Sequence, residues 1–208
     1  MENALVTQEA NDISVKMLVS LQSVLQGHLR RKATNTNKKN DKFYSYIPYH
    51  YLNELIRQLI HVYALGGNDR LKFVDVGCGN GFIPLLAQQM GFDAYGIEYN
   101  EEYVDYAIEM FGFKKKSDWG HLTIQHANAL RCNYKKYDVV YYFCPIANNE
   151  LQSKLEARIE KTMKPGAFLI PKYKKGWRDS VPENFRVEYE RPSNGGYKYD
   201  NCVFQKIT

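Results

Sequence analysis

The chain has 208 residues, 44% of them hydrophobic and 25% charged. Those values sit at the averages for soluble globular proteins and exclude a disordered chain, a collagen-like repeat and a coiled-coil rod. At about 150 residues per domain the length fits one domain with an appendage, and such a chain buries roughly 70% of its unfolded surface without disulfides or a structural metal. Its 28 basic and 23 acidic residues leave a net charge of +5, which permits an acidic partner without requiring one.

The opening MENALVTQEANDIS has neither a basic flank nor an unbroken apolar run, so no signal peptide is expected. No stretch approaches the ~18 apolar residues of a membrane span. Cys78, Cys132, Cys144 and Cys202 form no CxxC pair, and the five histidines supply no metal-ligand spacing with them. Free thiols, no metal site and a cytoplasmic location are the expectation.

Residues 1–43 read as an N-terminal helix and basic linker, and 44–208 as the main domain. Ile13, Met17, Leu21, Val24, Leu25 and Leu29 recur at helical spacing and run into Arg30, Arg31 and Lys32. The polar TNTNKKNDK that follows reads as a linker. The helix either packs on the domain or forms a basic lid. After Tyr44, Pro48 suits a first helical position, with Leu52, Leu55, Ile56, Leu59, Ile60 and Tyr63 as an apolar stripe. Strands are predicted at Leu71–Val76, Ala94–Tyr99, Leu122–Gln125, Asp138–Phe143 and Ala167–Ile170. Helices are predicted at 82–90, Glu101–Phe111 and Asn149–Met163, and Lys114-Lys115-Lys116 and residues 171–184 read as loops. The alternation predicts an α/β fold with a largely parallel sheet. Phe185–Glu190 and Asn201–Lys206, flanking Ser193-Asn194-Gly195-Gly196, predict a closing antiparallel hairpin.

The informative segment is Phe73-Val74-Asp75-Val76-Gly77-Cys78-Gly79-Asn80-Gly81-Phe82, placed between a predicted strand and a predicted helix. Glycines there permit a tight turn and close approach of backbone to a ligand. A dinucleotide loop would read GxGxxG, whereas here the third glycine comes one position early. Asp75 adds a negative charge that disfavours a pyrophosphate and suits a cationic amine. Glu98 closes the second strand, where a carboxylate accepts hydrogen bonds from ribose hydroxyls at the ligand edge of an open α/β sheet. A nucleoside-type ligand follows. A nicotinamide-dependent oxidoreductase fits the glycine spacing less well.

Asp75-Val76-Gly77-Cys78-Gly79-Asn80-Gly81 resembles the first motif of the class I S-adenosylmethionine-dependent methyltransferases. Glu98 resembles the family's ribose-binding acid. His126-Ala127-Asn128-Ala129-Leu130 resembles the adenine-facing segment, with Asn128 where the family usually has aspartate. Lys164-Pro165-Gly166-Ala167 is similar to the turn before the fifth strand. Over roughly residues 70–171 the resemblance implies a Rossmann-like, doubly wound, seven-stranded sheet with an antiparallel last strand. It also implies S-adenosylmethionine as cofactor, held by Asp75, Gly77, Cys78, Gly79, Gly81, Glu98, Tyr99, Asn128, Ala129 and Phe143.

The acceptor is less legible. The fourth predicted strand ends Tyr142-Phe143-Cys144-Pro145-Ile146, which lacks the Asn/Asp-Pro-Pro-aromatic tetrapeptide of base-amine methylation and reverses the Pro-Cys order of cytosine-5 chemistry. Tyr46-Ile47-Pro48, Gly96-Ile97-Glu98-Tyr99-Asn100 and the Phe-x-Pro strand end followed by Leu151, Lys154 and Leu155 resemble small Dot-type lysine methyltransferases. This favours a protein amine, with Tyr46, Pro145 and Asn148 as substrate-binding candidates and Tyr44, Tyr49 and Trp177 as further aromatic walls. No general base is assigned. The cations at 30–42, with Lys172, Lys174, Lys175 and Arg178, keep RNA open as an acidic substrate. A small-molecule acceptor and a non-catalytic cofactor-binding protein also remain open.

Overall fold

The computed structural model describes residues 49–66, 70–115, 122–174, 177, 180–192 and 199–208. The expected N-terminal helix, the basic linker and Tyr46 lie outside the described residues. The chain divides after Ile56 into two compact units. Residues 49–56 of the first are described, as the opening turns of helix α1 (Tyr49–Leu65).

The second unit is built on one sheet. Strands β1 (Lys72–Val76), β2 (Asp93–Glu98), β3 (Lys114–Lys115), β4 (Leu122–His126), β5 (Val139–Phe143), β6 (Phe168–Lys172), β7 (Phe185–Glu190) and β8 (Cys202–Lys206) follow in chain order. In space the order is β3-β4-β2-β1-β5-β6-β8-β7. Pairing is parallel from β3 across to β6, and β8 is antiparallel to both of its neighbours. This is the expected Rossmann-like sheet of seven strands with an eighth, two-residue strand at one edge. The extra strand falls where three lysines read as a loop. Pairing with β4 draws it in at Lys114↔Thr123 and Lys115↔Ile124.

Strand β6 runs two residues past its predicted end, through Pro171 to Lys172. A proline in a central strand would normally break a ladder. Here β8 pairs only with Phe168 and Leu169, so beyond Leu169 one side of β6 has no neighbouring strand.

Helices α2 (Phe82–Gln89), α3 (Glu101–Phe111) and α4 (Asn149–Thr162) complete the unit. Val74, Val76, Val140, Tyr142 and Leu169 share a buried cluster with Leu155, Ile159 and Met163, which places α4 on one sheet face. On the other, Val104 and Ala107 of α3 cluster with Ile124 and Cys78, and Tyr63 of α1 meets Phe92 edge-on at 5.8 Å between ring centroids. Ile60 and Tyr63, expected in the apolar stripe of α1, are 47% and 44% exposed.

Asn100 caps α3, its Oδ1 accepting the Glu102 N–H at 2.9 Å. Replacing Asn100 by Ala removes that acceptor and should cost about 1 kcal/mol, read from the shift of the urea unfolding midpoint at unchanged slope.

Candidate functional site

Parallel pairing aligns the C-terminal ends of β1, β2, β4, β5 and β6 along one sheet edge, where open α/β sheets bind their ligands. The chain leaves β1 through Gly77, Gly79 and Gly81, all with positive φ (79°, 54° and 81°). A Cβ on Gly77 would lie 2.2 Å from Cβ of Pro145, and one on Gly81 would lie 2.8 Å from the Phe113 ring. Protein packing therefore explains both of those glycines. A Cβ on Gly79 would meet nothing within 4 Å, so backbone is presented to open space there, as close approach by a ligand requires.

Glu98, 5% exposed, ties two turns together. Its Oε2 accepts the Gly79 N–H at 2.8 Å, and its Oε1 accepts the N–H groups of Tyr99 and Asn100, both at 2.8 Å. A carboxylate offers about four lone-pair sites. Three are used, and the remaining one, on Oε2, is available to a ligand hydroxyl. The Glu98 carbonyl accepts from Ala127 at 2.8 Å, which brings the segment after β4 alongside.

Asp75 is 4% exposed. Burial, reinforced by the Glu98 charge, pushes its carboxyl well above the usual range. The same burial, with Asp75 and Glu98, raises the Cys78 thiol, which makes it an inert packing group against Gly96. A carboxyl raised in the folded state binds its proton more tightly there than in the unfolded chain, so the folded state loses stability as pH rises through that raised pKa. Asp75→Asn should therefore melt higher than wild type at neutral pH, with the gap closing towards pH 4; thermal melts across that range in the absence of ligand check it.

The remaining candidates divide. Tyr99 is 73% exposed beside Glu98, its carbonyl 2.9 Å from Nε2 of His126. Asn128 caps the 3-10 turn Ala129–Arg131, its Oδ1 accepting the Leu130 N–H at 3.0 Å, which leaves one lone pair on that oxygen. Asn148 is exposed and caps α4 through Leu151 N–H at 3.0 Å. Phe143 and Tyr173 close β5 and β6 with rings 5.2 Å apart and nearly perpendicular. Cys144 and Tyr173, the first residues past those strands, both hold positive φ (39° and 54°), a strained conformation for side chains with a Cβ.

Two of the expected surface cations point inward. Nζ of Lys172 donates to Gln58 Oε1 at 3.0 Å and to the Asp200 carbonyl. Nζ of Lys174 donates to Glu156 at 3.3 Å and Glu160 at 2.6 Å and lies over the Trp177 ring. Trp177, a candidate aromatic wall, packs against Phe185 and Phe204 and donates from Nε1 to Glu160 at 3.1 Å. Lys175 and Arg178 lie outside the described residues. Sequence reasoning missed Gln58 and Asp200 because their partners are distant in the chain, although a glutamine on the apolar side of a helix was a usable signal. Among the described residues, no His, Cys, Asp and Glu cluster is placed to hold a metal, and no helix is long and apolar enough to cross a membrane.

This sheet order, the glycine turn after β1 and the acid ending β2 define a class I S-adenosylmethionine-dependent methyltransferase. The chain belongs to the methyltransferase domain family, which matches residues 68–205. No curated protein sequence is significantly similar to it. Among solved structures it is similar to magnesium protoporphyrin IX methyltransferase from Synechocystis with bound S-adenosylhomocysteine, at 16% identity and TM-score 0.51, covering 74% of this chain and 80% of that one. It is also similar to the N-methyltransferase NodS from Bradyrhizobium japonicum in complex with S-adenosylhomocysteine, at 15% identity and TM-score 0.50, covering 75% and 87%.

Proposed function

We propose that the protein transfers the methyl group of S-adenosylmethionine to a lysine amine of another protein. The observation that carries this reading is the aromatic pair Phe143 and Tyr173 at the ends of adjacent strands, on a site edge that also holds the buried Asp75 and Asp200. Aromatic walls desolvate an amine and lower its pKa from about 10.4 towards the neutral, nucleophilic form, while the nearby carboxylates favour approach of a cation. Bound S-adenosylmethionine supplies an electrophilic methyl group on a sulfonium, so the protein contributes chiefly alignment, an effect reaching about 7–11 kcal/mol.

In this reading Asp75 faces the cofactor ammonium, Glu98 a ribose hydroxyl, and Gly77, Cys78, Gly79 and Gly81 line the approach to its backbone. Tyr99, Asn128 and Ala129 border the adenine, and Phe143 the methyl group. The acceptor-binding role expected of Tyr46 falls outside the described residues. Pro145 borders the acceptor. Asn148 does so only if its exposed amide serves both the cap and the acceptor. Burial of Lys172 and Lys174 removes two cations from the face an RNA would need. The four free cysteines support a reducing, cytoplasmic setting.

The test is incubation with methyl-labelled S-adenosylmethionine and fractionated protein, RNA and small molecules from a cell extract. Label recovered as Nε-methyllysine after protein hydrolysis, and abolished by prior chemical blocking of lysines, supports the proposal. Label that nuclease releases or that stays in the small-molecule fraction overturns it. Cofactor binding without any transfer overturns it in favour of a non-catalytic role.

A further inference from the structure

Among the described residues, three other than glycine hold a positive φ: Cys144 (39°), Tyr173 (54°) and Trp177 (59°). All three lie in the two segments that leave β5 and β6 at the ligand edge. A side chain with a Cβ keeps that conformation only where its surroundings over-determine it. Those surroundings include polar groups buried beneath both segments.

Helix α4 supplies them. Its core-facing side carries Leu155 and Ile159, but also Gln152 and Glu156, one turn apart and 0% and 2% exposed. Gln152 Oε1 accepts the Ile146 N–H at 3.2 Å, which ties down the segment after β5. Gln152 Nε2 donates to Glu156 Oε1 at 3.0 Å. The other oxygen, Glu156 Oε2, accepts from Lys174 Nζ at 3.3 Å, which ties down the segment after β6. Lys174 also pairs with Glu160, to which Trp177 Nε1 donates. One carboxylate thus joins the two segments.

Stability does not account for this arrangement. The Lys174 and Glu156 side chains are 0% and 3% exposed, and a buried ion pair is commonly no more stabilising than apolar side chains of similar volume. What the pair adds is fixed geometry. Tyr173 stands between Lys174 and Lys172, which reaches Gln58 on the opposite sheet face. The Tyr173 N–H donates to Asp200 Oδ1 at 2.6 Å, and its ring lies 5.2 Å from that of Phe143. Ahead of Ile146, Pro145 packs on Gly77. The joined segments therefore present both Tyr173 and Pro145 to the edge assigned to the acceptor.

We propose that Glu156 is a positioning residue for methyl transfer, locking the segments after β5 and β6 into one acceptor wall with Gln152 and Lys174 as its two ties. Glu156 acts through Tyr173 and Pro145 and not by contact with the reacting groups. The proposal rests on the reading of this edge as the acceptor side, and not on the acceptor being a lysine.

The experiment compares three variants of the full chain with wild type. Glu156→Gln with Lys174→Met removes both buried charges together and keeps an oxygen for Gln152. Gln152→Leu cuts the other tie and keeps the ion pair. The third variant combines all three substitutions. Thermal melts check the fold, and calorimetry gives the affinity for S-adenosylmethionine. Initial rates follow methyl label into whichever extract fraction wild type labels.

The charge-removing variant should melt close to wild type and bind S-adenosylmethionine as tightly. Its rate at saturating S-adenosylmethionine should fall roughly 10- to 100-fold, the scale of a small misplacement of reacting groups. The half-saturating S-adenosylmethionine concentration should stay unchanged. Gln152→Leu should show the same split. The combined variant should be no slower than the slower of the two, because a single wall is lost only once.

A wild-type rate in the charge-removing variant overturns the proposal, as does a loss of cofactor affinity that matches the loss of rate. So does a combined loss equal to the product of the two separate losses. A charge-removing variant that melts far below wild type assigns the ion pair to folding and overturns it too. Label found in RNA or small molecules overturns the lysine reading alone, whereas wild type that binds cofactor and labels nothing overturns both.

Discussion

Glu98→Ala should weaken S-adenosylmethionine binding at least a hundredfold and lower the stability of the free protein by about 3 kcal/mol, both readable from calorimetry and urea unfolding. The two losses have one origin. The carboxylate accepts three backbone N–H groups, from Gly79, Tyr99 and Asn100, each at 2.8 Å. Alanine leaves all three without an acceptor and removes the one lone pair left for a ribose hydroxyl. Glu98→Gln separates shape from charge. Its single amide oxygen satisfies at most two of the three donors, and its NH2 group faces the third. It should therefore recover part of the stability and little of the affinity. Equal affinity of Glu98→Gln and wild type would show that the acid serves only to build the turn.

The glycine loop gives the second large contrast. Gly77→Ala places a Cβ 2.2 Å from Pro145 at a φ of 79°. Left-handed backbone costs an alanine about 1–2 kcal/mol, and relieving the overlap adds about 1–3 kcal/mol. Unfolding measurements should show a loss of about 3 kcal/mol together with loss of cofactor binding. Gly79→Ala carries the backbone penalty alone, since no protein atom lies within 4 Å. It should cost about 1–2 kcal/mol of stability and still block the cofactor. If Gly79→Ala bound S-adenosylmethionine normally, the open space at that position would not be where the ligand approaches.

What the sequence disclosed was what local pattern encodes. The glycine spacing, the acid closing β2 and the alternation of strands with helices depend on neighbours a few positions apart, and among the described residues the expected strands and helices from α1 onward appear within a residue or two of their expected places. The inward turn of Lys172 depends on Gln58, 114 positions away, and that of Lys174 on Glu156 and Glu160 of a separate helix. In a sequence both lysines belong to a basic run. The cap at Asn148 is readable, as an asparagine just ahead of a helical stretch is a start signal. Nothing local marks β3, because strand pairing and not β-propensity recruits its two lysines.

The two ends of the sheet bear on how copies of the chain meet. A long, flat, unpaired strand is a template on which another chain can add by backbone hydrogen bonding. At one end β3 offers two residues. At the other, the register of β7 shifts between Val187 and Tyr189, and Arg186, Glu188 and Glu190 crowd the same six residues. A shortened rim on one side and a kinked, charged rim on the other make both margins poor seeds for edge-to-edge growth. A sheet rich in valine and tyrosine thereby keeps its aggregation hazard inside its own boundaries.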